Sequence, residues 1–185
     1  MNEVMAPSQP GADVPPTQAP ARAGMDRAVE HWLLSAASDR RTALREWSTT
    51  GIAMVRCGGI FAALRVPADI IHAAAGTDDP AGIDCYLSNA LRGPVLVDRF
   101  ARRYYALVPS STARCPELSA ALGPGVECLG TNSFLGVPHP TRPHPGATPS
   151  YWCVPAKVPG PLCSPGAIVK VVNRGRRLLE EALDE

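Results

Sequence analysis

The run Arg99, Phe100, Arg102, Arg103, Tyr104 and Tyr105 interleaves three cations with three aromatics. Guanidinium groups bond phosphate oxygens and aromatic rings stack on bases, so this run has the chemistry to hold a nucleotide or a nucleic-acid strand. Alternate residues of a strand share a face, which places Arg103 and Tyr105 on one side and Arg102 and Tyr104 on the other. A further cation, Arg65, stands near the end of the apolar stretch 61–66. A two-metal phosphoryl transferase needs carboxylates converging on ions about 4 Å apart. A D-x-D or D-x-x-D pattern at the end of that stretch would supply them, but Ala62 and Arg65 stand there instead, and an arginine repels Mg²⁺. The expectation is a site with no catalytic residue, no metal ligand and no cofactor.

Other reactive residue types lack companions. His139 and His144 lie five apart in a proline-rich run, with no nearby Cys, Asp or Glu to complete a tetrahedral metal set, and are expected to be exposed. His31 and His72 fall inside helical patterns. Ser110, Ser111 and Thr112 follow a strand and Cys128 lies on another, but no G-x-S-x-G elbow is present. A pairing of Cys128 or Cys153 with His139 has no motif behind it. The runs "CGGI" and "LGPG" match neither glycine-rich phosphate-loop pattern. The six cysteines contain no C-x-x-C pair and read as small, reduced, mostly buried hydrophobes.

The elements that position these residues follow from periodicity. Residues 1–24 are rich in Pro and Ala without an aromatic, which predicts a disordered tail, with the domain running from 25 to 185. Val29, Trp32, Leu33 and Ala36 fall at i, i+3, i+4, i+7, one helical stripe, and a second helix follows Ser38 or Asp39 as N-cap. "GIAMVR" and "GIFAALRV" read as two strands of a hairpin turning at Cys57, Gly58 and Gly59. Pro67 and Asp69 suit the first turn of a helix ended by Gly76, and a short helix ends at Gly93. "PVLVDRF" and "RRYYALVP" form a strand pair joined near Phe100 and Ala101. "VECLG", "SFLGVP" and "SYWCVP" add three short strands, and a last helix with Ile168, Val171, Val172, Leu178 and Leu179 inward is weakened or bent at Gly175. The pattern predicts an α+β single domain with helices packed on a mainly antiparallel sheet of five to seven strands.

Composition narrows the function classes. A net charge of +1 over 185 residues exerts no global pull toward nucleic acid or membrane. No apolar run is long enough to span a bilayer and no secretory pattern opens the chain, so no membrane association and a cytoplasmic location are expected.

The runs "GIFAALRVPADII", "GPVLVDRFARRYYALVPSST" and "VECLGTNSFLGVPHP…SYWCVP", in that order, resemble the N-terminal domain of bifunctional DNA primase/polymerases, especially its short actinobacterial versions. The resemblance covers residues 25–183 and implies a primase/polymerase-like fold. In that family a catalytic acidic pair ends the strand that here reads 61–66, and a histidine-bearing strand follows where this chain has 102–108. Ala62 and Arg65 replace the acids, and Arg103 or Tyr104 stands at the histidine position. The resemblance therefore implies the fold without the polymerase activity. The leading expectation is a non-catalytic domain that binds DNA, a nucleotide or a regulatory protein through a cleft edged by Arg65, Arg99, Arg102, Arg103 and Tyr105. One alternative is a residual nucleotidyl transferase using Asp78, Asp79, Asp84 or Asp98. Another is a protein-interaction module without a small ligand.

Overall fold

The computed structural model describes residues 18–141 and 149–184. Among these residues the chain runs α1 (Gln18–Leu34), α2 (Arg40–Thr49), β1 (Ile52–Arg56), β2 (Phe61–Pro67), α3 (Ala68–Ala75), α4 (Pro80–Leu91), β3 (Val95–Asp98) and β4 (Arg103–Pro109). A 3-10 turn (Ser110–Arg114), α5 (Pro116–Leu122), β5 (Glu127–Leu129), β6 (Phe134–Pro138), β7 (Ser150–Val154) and α6 (Pro165–Glu181) complete it. Every strand pairing is antiparallel. Five strands form one sheet in the order β5-β2-β4-β3-β7, and β1 pairs with β6 alone. The fold is α+β in a single domain.

The five-stranded sheet is the middle of three layers. Ala62, Leu64, Val66, Val97 and Ala106 point to one face, where they meet α3, α4 and α6. Phe61, Ala63, Leu96, Leu107 and Trp152 point to the other, beneath α1, α2 and the β1–β6 pair. Strands covered on both faces carry little polar signal, which is why "FAALRVP" is apolar apart from Arg65. The α1 stripe is buried at Val29, Leu33 and Ala36, while Trp32 is half-buried with its ring 5.8 Å from that of Phe61. Asp39 caps α2 by accepting the Arg41 amide.

Four expectations require correction. β1 and β2 do not form a hairpin: the Cys57 amide bonds Ser133 O and β1 joins β6, while β2 enters the larger sheet between β5 and β4. Gly58, at φ 91°, lets the chain cross between the sheets, since a Cβ there would sit 2.5 Å from the Thr131 nitrogen. α1 begins at Gln18, so residues 18–24, expected in the tail, are helical; residues 1–17 lie outside the described residues. α4 ends with Arg92, not Gly93, in the left-handed conformation. α6 runs on through Gly175, where a Cβ would lie 2.1 Å from Ile70 O, so this is the point where α6 lies directly against α3. Leu178 and Leu179 are half-buried, in contrast to Ile168, Val171 and Val172.

Candidate functional site

The interleaved run forms the four-residue turn 99–102 between β3 and β4 and the start of β4. Asp98 pairs with Arg103 in register, and its carboxylate accepts the backbone amides of Phe100 and Ala101 at 3.0 Å each. These bonds fix the turn. Arg102 takes a left-handed conformation at φ 51°, and its carbonyl accepts the Ala68 amide that opens α3. The tip is thereby tied to the first turn of α3, where Asp69 pairs with Arg102. Phe100, at the tip, is 86% exposed.

Beside the turn lies a cavity of about 240 Å³ lined by Ala68, His72, Val97, Arg99, Arg102 and Tyr104, together with Pro80, Asp98 and Tyr151. The register explains it. Val97 of β3 stands opposite Tyr104 of β4 on one side and Tyr151 of β7 on the other. A small side chain between two large ones leaves a slot on the face covered by α3 and α4.

The polar groups of this slot are linked. His72 Nδ1 lies 2.7 Å from Asp78 Oδ1, and Nε2 lies 3.2 Å from the Tyr104 hydroxyl, the two rings meeting edge to face. Asp78 reaches the imidazole because the neighbouring turn is pinned: Thr77 Oγ1 accepts the Asp79 amide, and Asp79 caps α4 by accepting the Gly82 amide. The Tyr151 hydroxyl donates to Asp84 Oδ1 at 3.3 Å. Burial raises both phenols well above the ordinary tyrosine range, with Cys153 and Asp84 adding to the effect. Burial likewise pushes the Cys153 thiol far up, and Asp84 adds to it. The two phenols and the Cys153 thiol are therefore neutral at physiological pH.

Arg65, Arg103 and Tyr105 lie elsewhere. Cross-strand register sets Arg65 between Tyr105 of β4 and Glu127 of β5, on the face of Phe61 and Ala63. Arg65 donates to the Glu127 carboxylate. That bond holds Glu127 below the usual carboxylate range and raises Arg65. Arg103 turns back to donate to the Arg102 carbonyl at 3.0 Å. The expected single cleft edged by all four arginines is thus divided. Tyr104 and Tyr105 point to opposite faces, and only Arg99 and Arg102 line the cavity. Ala62 is fully buried beneath the helices.

The remaining candidates do not assemble. Asp78, Asp79, Asp84 and Asp98 each serve the separate partners named above. Among the described residues no group of three or more His, Cys, Asp and Glu side chains is placed to hold a metal ion. His139 is half-buried rather than exposed, with its ring 5.1 Å from that of Trp47, and Cys153 belongs to the core on the opposite face of the sheet. His144 lies outside the described residues. Ser110, Ser111 and Thr112 follow β4 at its far end from the cavity. All six cysteines are free thiols, and burial pushes Cys57 up to about 11 and Cys163 up to about 12. No described helix is long and apolar enough to cross a membrane.

Sequence reasoning missed His72 and Tyr151 as site residues and offered Asp78 only as a carboxylate for a residual transferase. The helical pattern around His72 reads it only as a partly buried or boundary residue. A signal existed in its place, three residues after Asp69 on the same helical face and just before the glycine that turns the chain toward Asp78. Tyr151 carried none, because its neighbours come from strands and a helix far away in the chain. No family model, curated protein or solved structure matches this chain.

Proposed function

We propose that this domain binds a nucleotide or a single strand of nucleic acid at the β3–β4 tip, as a binding domain rather than a transferase. One observation carries the reading: an aromatic ring exposed to 86% sits in a pinned turn between two arginines that line a cavity. Phe100 supplies a stacking surface that every base can use, and Arg99 and Arg102 supply planar donors for phosphate oxygens. Asp98 lines the same cavity as the arginines and offers an acceptor to a ligand hydroxyl. Arg65 and Arg103 extend the positive surface only on the other face of the sheet.

The test is a fluorescence-anisotropy titration of the chain with labelled oligo(dT) and labelled nucleotides at two salt concentrations. Binding should weaken steeply with salt, because phosphate contacts release counterions. Phe100→Ala should weaken oligo(dT) binding by about 1–3 kcal/mol. Binding that is indifferent to salt and to Phe100→Ala would place any ligand elsewhere.

A further inference from the structure

We infer that His72 is the third cation of this cavity: a phosphate-bearing strand binds there together with a proton taken up by the imidazole, and that proton releases the Tyr104 hydroxyl to bond the phosphate. The inference rests on the reading of the cavity as a phosphate site and adds the group that regulates it.

The charges around His72 motivate it. Asp69 comes from its own helix, Asp78 from the α3–α4 turn, and Asp98 from β3. Arg99 and Arg102 come from the tip, Tyr104 from β4, and Tyr151 from β7 with Asp84 of α4 behind it. Arg99, Arg102 and Asp98 line the cavity, while Asp69 pairs with Arg102 and Asp78 with His72 from its rim, so with a neutral imidazole the charges of the cavity and rim come to two guanidiniums against three carboxylates. Histidine is the side chain whose charge changes near neutral pH, so it is the group able to correct that surplus.

The hydrogen bonds give the proton a second effect. Asp78 is a carboxylate and accepts, so Nδ1 carries hydrogen in either state of the ring. In the neutral ring Nε2 is an acceptor, and the Tyr104 hydroxyl, 3.2 Å away, donates to it. When Nε2 takes a proton from solvent it becomes a donor to the Tyr104 oxygen, and the phenolic hydrogen must turn to another acceptor. The cavity that Tyr104 lines is where that acceptor would sit. A single N–H bond forms, the proton comes from the buffer, and no other covalent bond changes.

The experiment is calorimetry of the whole chain with oligo(dT), a probe with no group that titrates near neutral pH, in two buffers of different ionisation enthalpy. The observed enthalpy should differ between buffers by an uptake approaching one proton. Affinity should rise by up to about tenfold per unit as pH falls from about 8 toward 6, as one linked proton requires. His72→Gln should remove both effects. Tyr104→Phe should keep proton uptake and lose affinity. A buffer-independent enthalpy with pH-independent affinity in the unaltered chain would overturn the coupling while leaving the phosphate site standing, as would uptake that persists in His72→Gln. Absence of oligo(dT) binding at every pH would overturn both.

Discussion

Tyr151 and Trp152 are neighbours in β7, equally buried, and they meet opposite surroundings. Trp152 enters the face packed by α1, α2 and the β1–β6 pair, and its indole N–H donates to Pro138 O at 3.0 Å. Trp47 does the same on that face, donating to Val137 O at 2.9 Å. Each of these two indole N–H groups is closed off by one carbonyl partner inside apolar packing. Tyr151 enters the other face, where hydroxyls, an imidazole, carboxylates and a thiol cluster beside a cavity. A polar atom satisfied in isolation serves packing. Linked polar groups lining a cavity retain alternative partners, which is the property a ligand or a proton can exploit.

The largest effect should come from the packed face. Trp152→Ala removes a fully buried ring and leaves Pro138 O without its donor, and should cost about 3–5 kcal/mol of stability. Urea unfolding measures it, and a loss below about 1 kcal/mol would mean that this face is looser than its burial implies.

A smaller effect is expected from the cavity face. Tyr151→Phe keeps the ring and removes one hydroxyl bond of 3.3 Å, so its cost should be about 1 kcal/mol. The same phenols give an alkaline signature. Their folded pKa values are raised, so their contribution to stability is complete below the unfolded tyrosine value of about 10 and is lost as pH rises above it. Tyr151→Phe should flatten that alkaline loss in urea titrations across the range. An unchanged alkaline slope would show that Tyr151 titrates in the folded chain much as in the unfolded one, and the contrast between the two faces would weaken.

The contrast also explains what could be read from the sequence. Helix stripes, an α2 cap at Ser38 or Asp39, the β3–β4 pair and the opposite facing of Tyr104 and Tyr105 all follow from local spacing, and local spacing is what a chain displays. The partners of β1 and Arg65 were not legible. Both depend on which distant strand lies alongside, and "CGGI" supports a crossing between sheets as well as a turn. The cavity was legible in half: Arg99, Phe100 and Arg102 stand in one run, whereas the Asp78–His72–Tyr104 chain comes from three elements. A buried apolar strand such as β2 reveals neither of its neighbours, so the fate of Arg65 had to wait for the register.

The smallest expected effect concerns that arginine. Arg65 and Glu127 are both partly exposed, at 35% and 58%, so solvent and salt screen their attraction. The pair should still be visible in the acid limb of stability. Glu127 is held below its ordinary value, chiefly by the Arg65 hydrogen bond and then by its charge. A depressed folded pKa means the pair's contribution is present above the unfolded carboxyl value, about 4.3, and lost as pH falls through the folded one. A double-mutant cycle of Arg65→Gln and Glu127→Gln should therefore give a small coupling at neutral pH that salt reduces and acid removes. Arg65→Gln should leave oligo(dT) binding unchanged, because that guanidinium lies on the face away from the cavity. If it weakens binding as much as Arg99→Gln does, the ligand spans both faces around the edge of the sheet, and the division between a packed face and a binding face fails at this strand end.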